Sequence, residues 1–177
     1  MIENTIRTEQ GQIRIMRDAL ESRYGRRISG KHHAMPWLIR HATAVHNRYH
    51  KGSDGRTRYE RLRGRPFNKE VAEFGECIWY LKPKSKGKEK RRSRWDNGIW
   101  LGIRDESNEI FVGTPQGVLK VRTIRRRADK EGRWNWEQFE AMRGVPWEPI
   151  PGREGIEVKA SIYMPGDTGP IQEGPLT

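Results

Sequence analysis

The residues best placed to do chemistry in this chain are cations. Between positions 82 and 94 stand Lys82, Lys84, Lys86, Lys88, Lys90, Arg91, Arg92 and Arg94, with Glu89 as the lone acid. A charge run is often only a solvated loop. Eight positive charges in thirteen residues, set between two predicted strands, instead suit a finger that tracks a phosphate backbone without reading bases. Ser85 and Gly87 make it pliant. Lys120, Arg122, Arg125, Arg126 and Arg127 form a second basic cluster.

Other candidate chemistry is weaker. His41, His46 and His50 fall five and four apart on one predicted helix, but a metal there would want a further ligand, preferably a carboxylate, and the stretch has none. His32-His33 lacks the paired cysteines of a zinc module. Cys77 is the single cysteine, so no internal disulfide or Cys-rich zinc site is available, and within an apolar run its thiolate is disfavoured. Trp79, Trp95 and Trp100 lie in or beside predicted strands and read first as core, second as platforms for base stacking. Trp134, Trp136 and Trp147 lie in the acidic end of the chain and could dock that end back on the basic body.

The 177 residues suit one ordinary domain or two small ones. The formal net charge is +12. Residues 134–177 alone carry −4, which leaves +16 on the first 133 and makes a polyanion the natural partner. The longest apolar run, Cys77 to Leu81, is far below the ~20 residues that span a bilayer. With a polar N-terminus and one cysteine, the expectation is a reducing, intracellular compartment, the nucleus ahead of the cytoplasm.

These side chains need elements to position them. Ile6, Ile13, Met16, Leu20 and Tyr24 recur at helical spacing and predict an amphipathic helix over 3–24, stopped at Gly25. A second helix is expected from about Met35 to Tyr49, with Pro36 in its first turn and Leu38, Ala42, Val45 and Tyr49 on one side. Past Phe67 the pattern turns to short β-rich runs: 74–81, 98–103, 109–113 and 118–124. Turns are expected at 96–98, 105–108 and 114–117. Four short strands in about fifty residues favour a small antiparallel barrel, because closure removes exposed edges. The acidic end, rich in Pro and Gly, predicts an extended, weakly ordered tail. The fold class is thus α+β. Its expected divisions are a helical part at 1–52, a linker at 53–72, a barrel at 73–128 and a tail at 129–177.

Several of these pieces, taken in order, resemble the back half of the integrase of copia-type LTR retrotransposons. The opening Glu3-Asn4-Thr5-Ile6-Arg7 resembles the start of that family's last catalytic-core helix. Gly55-Arg56-Thr57-Arg58-Tyr59-Glu60 is similar to its G-x-T-P-Y-E segment, with Arg58 where the family has proline. Phe74-Gly75-Glu76, Gly98-Ile99-Trp100-Leu101-Gly102 and the basic strand at 121–127 resemble the pattern of its SH3-like barrel. The resemblance covers about residues 3–127.

The resemblance implies the end of an RNase H-like core followed by a DNA-binding barrel, in a polyprotein that serves DNA integration. Glu3 would be the third carboxylate of a D-D-E triad whose aspartates would lie upstream of Met1, so the chain is expected to be a truncated piece. Strand transfer in the family uses two Mg²⁺ ions held by all three carboxylates. One glutamate cannot do this, and no cofactor is expected for this chain. On its residues alone, Glu3 also reads as a solvated acid favourable at a helix N-terminus. The alternative to an integrase fragment is a stand-alone small barrel that binds nucleic acid or chromatin, its helices forming a dimerisation arm. A structural RNA-binding protein is a third reading.

Overall fold

The computed structural model describes residues 2–69, 71–83 and 94–153. Helix α1 (Ile2–Tyr24) follows the expected periodicity. Leu20 and Tyr24 are buried and Ile13 and Met16 pack half-buried on the same core, whereas Ile6 stays half exposed. Arg17 and Glu21, one turn apart and paired at 3.2 Å, clip the next segment to the helix. Arg17 donates to the Ile28 carbonyl at 2.6 Å and Glu21 accepts the Ile28 amide at 2.9 Å. That amide, with the Arg17 guanidinium, holds the Glu21 carboxyl below its ordinary range.

Helix α2 (Ala34–Tyr49) carries Pro36 in its first turn, where a missing N–H costs nothing. Its inner face is rotated from the expected one. Trp37, Leu38, Ala42, Ala44 and Arg48 are buried while Tyr49 is exposed, because Arg48 swings under the sheet to donate to the Ile103 carbonyl at 2.8 Å. The supposed linker also holds a helix, α3 (Arg58–Arg63). Thr57 and Glu60 cap each other's backbone reciprocally, a capping box written in the sequence as Thr-x-x-Glu.

Strands β1 (Cys77–Leu81), β2 (Trp95–Ile103), β3 (Ile110–Thr114), β4 (Gly117–Val121) and β5 (Ile124–Arg126) form one antiparallel sheet in the order β4-β3-β2-β1-β5. The expectation of a closed barrel is corrected: β4 and β5 stand at the two ends of the strand order, with no ladder joining them among the described residues. The expected turn at 96–98 is corrected too, since those residues extend β2 along β1, with Asn97 opposite Trp79. The strand expected at 118–124 breaks at Arg122-Thr123 into β4 and β5.

Both faces of the sheet are covered. Cys77, Ile99, Leu101, Phe111 and Val118 meet the helices on one side, while Ile78, Tyr80, Trp100, Ile103, Ile110, Val112 and Val121 form a second core on the other. Glycine is needed at two points of β2. A Cβ on Gly98 would sit 2.1 Å from a Val112 methyl, and Gly102, at the bulge opposite β3, holds a φ of +122°.

The largest correction concerns the end of the chain. Residues 129–153 are not an extended tail. Short helices α4 (Lys130–Arg133) and α5 (Trp136–Ala141) carry Trp134, Trp136 and Phe139 onto α1, where Tyr24 meets all three rings at 4.7–5.7 Å. Phe139 and Met142 are fully buried. Beyond them the chain lies along the β3–β4 hairpin, with the Arg143 amide on the Thr114 carbonyl at 3.0 Å and the Val118 amide on the Pro149 carbonyl at 2.7 Å. The first part of the expected tail is thus ordered by covering an edge and filling the helix-side core. Residues 154–177 lie outside the described part.

Candidate nucleic-acid interface

The basic finger is the connection between β1 and β2. At its neck the Lys82 amide donates to the Arg94 carbonyl at 3.0 Å, and the Lys82 ammonium pairs with Asp96 at 3.2 Å, both side chains about half exposed. Lys84, Lys86, Lys88, Lys90, Arg91 and Arg92 lie outside the described residues. Lys82 and Arg94 therefore mark where that charge enters and leaves the sheet.

Strand β5 sorts the second cluster by the two-residue period of a strand. Arg125 and Arg127 turn to the face that carries Trp79 and Trp95. The Arg125 guanidinium lies 4.6 Å from the centre of the Trp95 ring, and that of Arg127 lies 4.6 Å from the centre of the Trp79 ring. Each stack is worth roughly 0.5–1 kcal/mol at a solvent-accessible site. Arg127 also donates to the Asn97 side-chain oxygen and, at 3.5 Å, to that of Gln138. Trp79 remains 38% exposed. Two indoles, two guanidiniums and two amides thus share one patch beside the neck of the finger.

Arg126 turns the other way. It forks onto Glu76, Nε at 2.9 Å from one carboxylate oxygen and Nη2 at 2.7 Å from the other. Glu76 is fully buried, and Arg133 stands 3.8 Å away as a second cation. This ion pair, rather than a phosphate, is where Arg126 is placed. Lys120 and Arg122 are exposed, on β4 and on the link to β5. Glu3 lies in the first turn of α1, with its side chain outside the described part.

Sequence reasoning missed Glu76, Asn97 and Gln138 as partners. The alternation of β5 was the available sign that Arg126 differs from its neighbours; nothing local to Glu76 or Gln138 announces a partner about fifty or ten residues away.

The histidines do not gather. His46 and His50 stack at 4.5 Å, one helical turn apart, but His41 is turned inward between Phe74 and Trp100. Its Nδ1 has no hydrogen-bond partner among the described residues, and burial, helped by nearby Arg48, lowers its pKa to about 4. Cys77 is buried, which pushes its thiol up. Among the described residues no three His, Cys, Asp or Glu side chains converge on a point where an ion could sit. Among them, too, no helix is long and apolar enough to cross a membrane.

No family model, curated protein or solved structure matches the chain. The functional reading rests on the geometry of this patch and on the residues of the sequence.

Proposed function

We propose that this chain is a nucleic-acid-binding module of the kind found in the integrase region of a copia-type retroelement polyprotein. It grips the phosphate backbone through the β1–β2 finger and the Arg125 and Arg127 face, and by itself catalyses no strand transfer. The observation that carries the reading is the patch itself: two guanidiniums over indole rings, each 4.6 Å from the ring centre, beside the neck of a segment with eight cations. A strand order with β5 beside β1 and a bulge in β2 supports an SH3-like arrangement of these strands, left open between β4 and β5. DNA in the nucleus is the proposed target.

The half-exposed Ile6 of α1, which continues the stripe of Ile13 and Leu20 beyond the part the chain covers, favours a second reading of the helical part. It suits a dimerisation arm for a stand-alone module that binds nucleic acid or chromatin.

Counterion release supplies the test. Each phosphate neutralised on duplex DNA contributes about −0.9 to the slope of log affinity against log salt, so five contacts give about −4 to −5. Replacing Lys86, Lys88, Lys90, Arg91 and Arg92 by serine should flatten that slope by several units with little dependence on sequence. A slope that survives the change would remove the finger from the interface. Mg²⁺-dependent joining of LTR-end DNA by this chain would overturn the non-catalytic part of the reading.

A further inference from the structure

Beside the indole stacks the sheet leaves a recess. Strand β2 runs past the β3–β4 hairpin: its ladder with β3 stops at Ile99 opposite Gly113, whereas residues 95–98 pair with β1 alone among the described residues. Pro115, at the hairpin turn, has no N–H with which to extend the ladder. The gap between the β2 overhang and the hairpin is a cleft of about 270 Å³. It is lined by Asn97, Gln116 and Gln138, which carry amides, by Asp96, which carries a carboxylate, and by the buried Tyr80 and Ile99, which border it from opposite faces of the sheet. Two of the amides, Asn97 and Gln138, are those that Arg127 touches as it lies on Trp79. Cleft and stacks therefore form one continuous surface.

We infer that this cleft binds an unpaired nucleobase, so that the module prefers single-stranded nucleic acid, or a frayed end, to an intact duplex. The inference rests on the nucleic-acid reading above and narrows it. Amides present both a donor and an acceptor and match the edges of a base. Those edges are occupied in a duplex and free in a single strand. Guanidinium planes and indole rings offer faces on which neighbouring bases stack, and the same arginines neutralise the phosphates between them. A smooth duplex presents phosphates to the arginines but no base that can enter a recess. DNA and RNA share the feature recognised, and the 2′-hydroxyl is what would tell them apart.

The test is anisotropy titration of the whole chain, at one fixed salt, with a labelled mixed-sequence single strand of about 12 nucleotides, as DNA and as RNA, and with the matching DNA duplex. Single strands are expected to bind about tenfold more tightly than the duplex. The variant Gln116→Ala, on an exposed turn and away from the arginine stacks, should lower single-strand affinity about threefold and leave duplex affinity unchanged. Trp79→Ala, which also removes the ring under Arg127, should weaken both but lower single-strand affinity more than duplex affinity through lost base stacking, with Trp79→Phe recovering most of it. Equal affinity for single strand and duplex, unmoved by these changes, would overturn the cleft while leaving the nucleic-acid reading intact. Absence of binding in every arm at low salt would overturn both.

Discussion

Arg125 and Arg126 are neighbours on a three-residue strand, and the sheet gives them different work. Arg126 lies in a bidentate pair with a carboxylate that has no access to water, so its loss strands a buried charge; such losses cost about 3–5 kcal/mol. Because the Arg126 side chain is itself 35% exposed and Arg133 stands by, the lower end of that range applies. Arg126→Ala should therefore destabilise the chain by about 3 kcal/mol in urea unfolding. Arg125→Ala should shift the unfolding midpoint little, yet weaken nucleic-acid binding and take about one unit from the salt slope. Equal effects of the two on stability would mean that the Glu76 pair is not held as drawn. His41 gives a pH signature. Folded, its pKa is about 4 against an ordinary 6.5, so the unfolded chain binds the extra proton between those values. The stability tied to its neutral form is complete above about pH 6.5 and is lost as pH falls towards 4, by on the order of 3 kcal/mol. Unfolding free energies measured from pH 7 to 4.5 should fall more steeply for the wild-type chain than for His41→Leu. Parallel curves would show that the imidazole reaches solvent.

At the scale of elements, α5 is a six-residue helix with little intrinsic stability, since isolated helices shorter than about 12–15 residues are marginal in water. What holds it is Asn135, which caps the Gln138 amide at 3.0 Å, and Phe139, which packs against Tyr24 and stacks on His32 at 4.6 Å. Phe139→Ala should thus cost about 3–4 kcal/mol, a value typical of a fully buried ring and far above that of a residue in a loose tail. Chemical denaturation of that variant measures it. A change below about 1 kcal/mol would return the segment to the extended state that its composition suggests.

For the molecule as a whole, the distribution of charge and apolar surface decides assembly. The inner stripe of α1 finds its cover within the chain at Leu20 and Tyr24, so the remaining apolar surface is confined to the first four turns. Association through α1 should then depend on Ile6, which continues the inner stripe, rather than on Leu20. Sedimentation of Ile6→Glu should show a smaller species than the parent chain at the same concentration, with its helical circular dichroism retained. A parent that already sediments as a monomer would remove the dimerisation arm.

Periodicity along the chain determined a good deal. The spacing of Ile13, Met16, Leu20 and Tyr24 specified α1 and its inner face, Pro115 and Gly117 specified the β3–β4 turn, and the cations between 82 and 94 located the β1–β2 connection. These are properties of residues a few positions apart. The expected turn at 96–98 failed because Asp-Asn-Gly suits a turn locally, while pairing with β1 overrode that preference once Gly98 could sit against Val112. Which arginine meets Glu76, which indoles lie under guanidiniums, and whether the acidic segment folds back were decided by partners far away in sequence. Glu76 and Arg126 are fifty residues apart. Tyr24 and Phe139 are more than a hundred apart. A pattern of residue types can say that a side chain is inward or charged. Only the packed chain says what stands opposite it, because burial is a property of the contact and not of the residue.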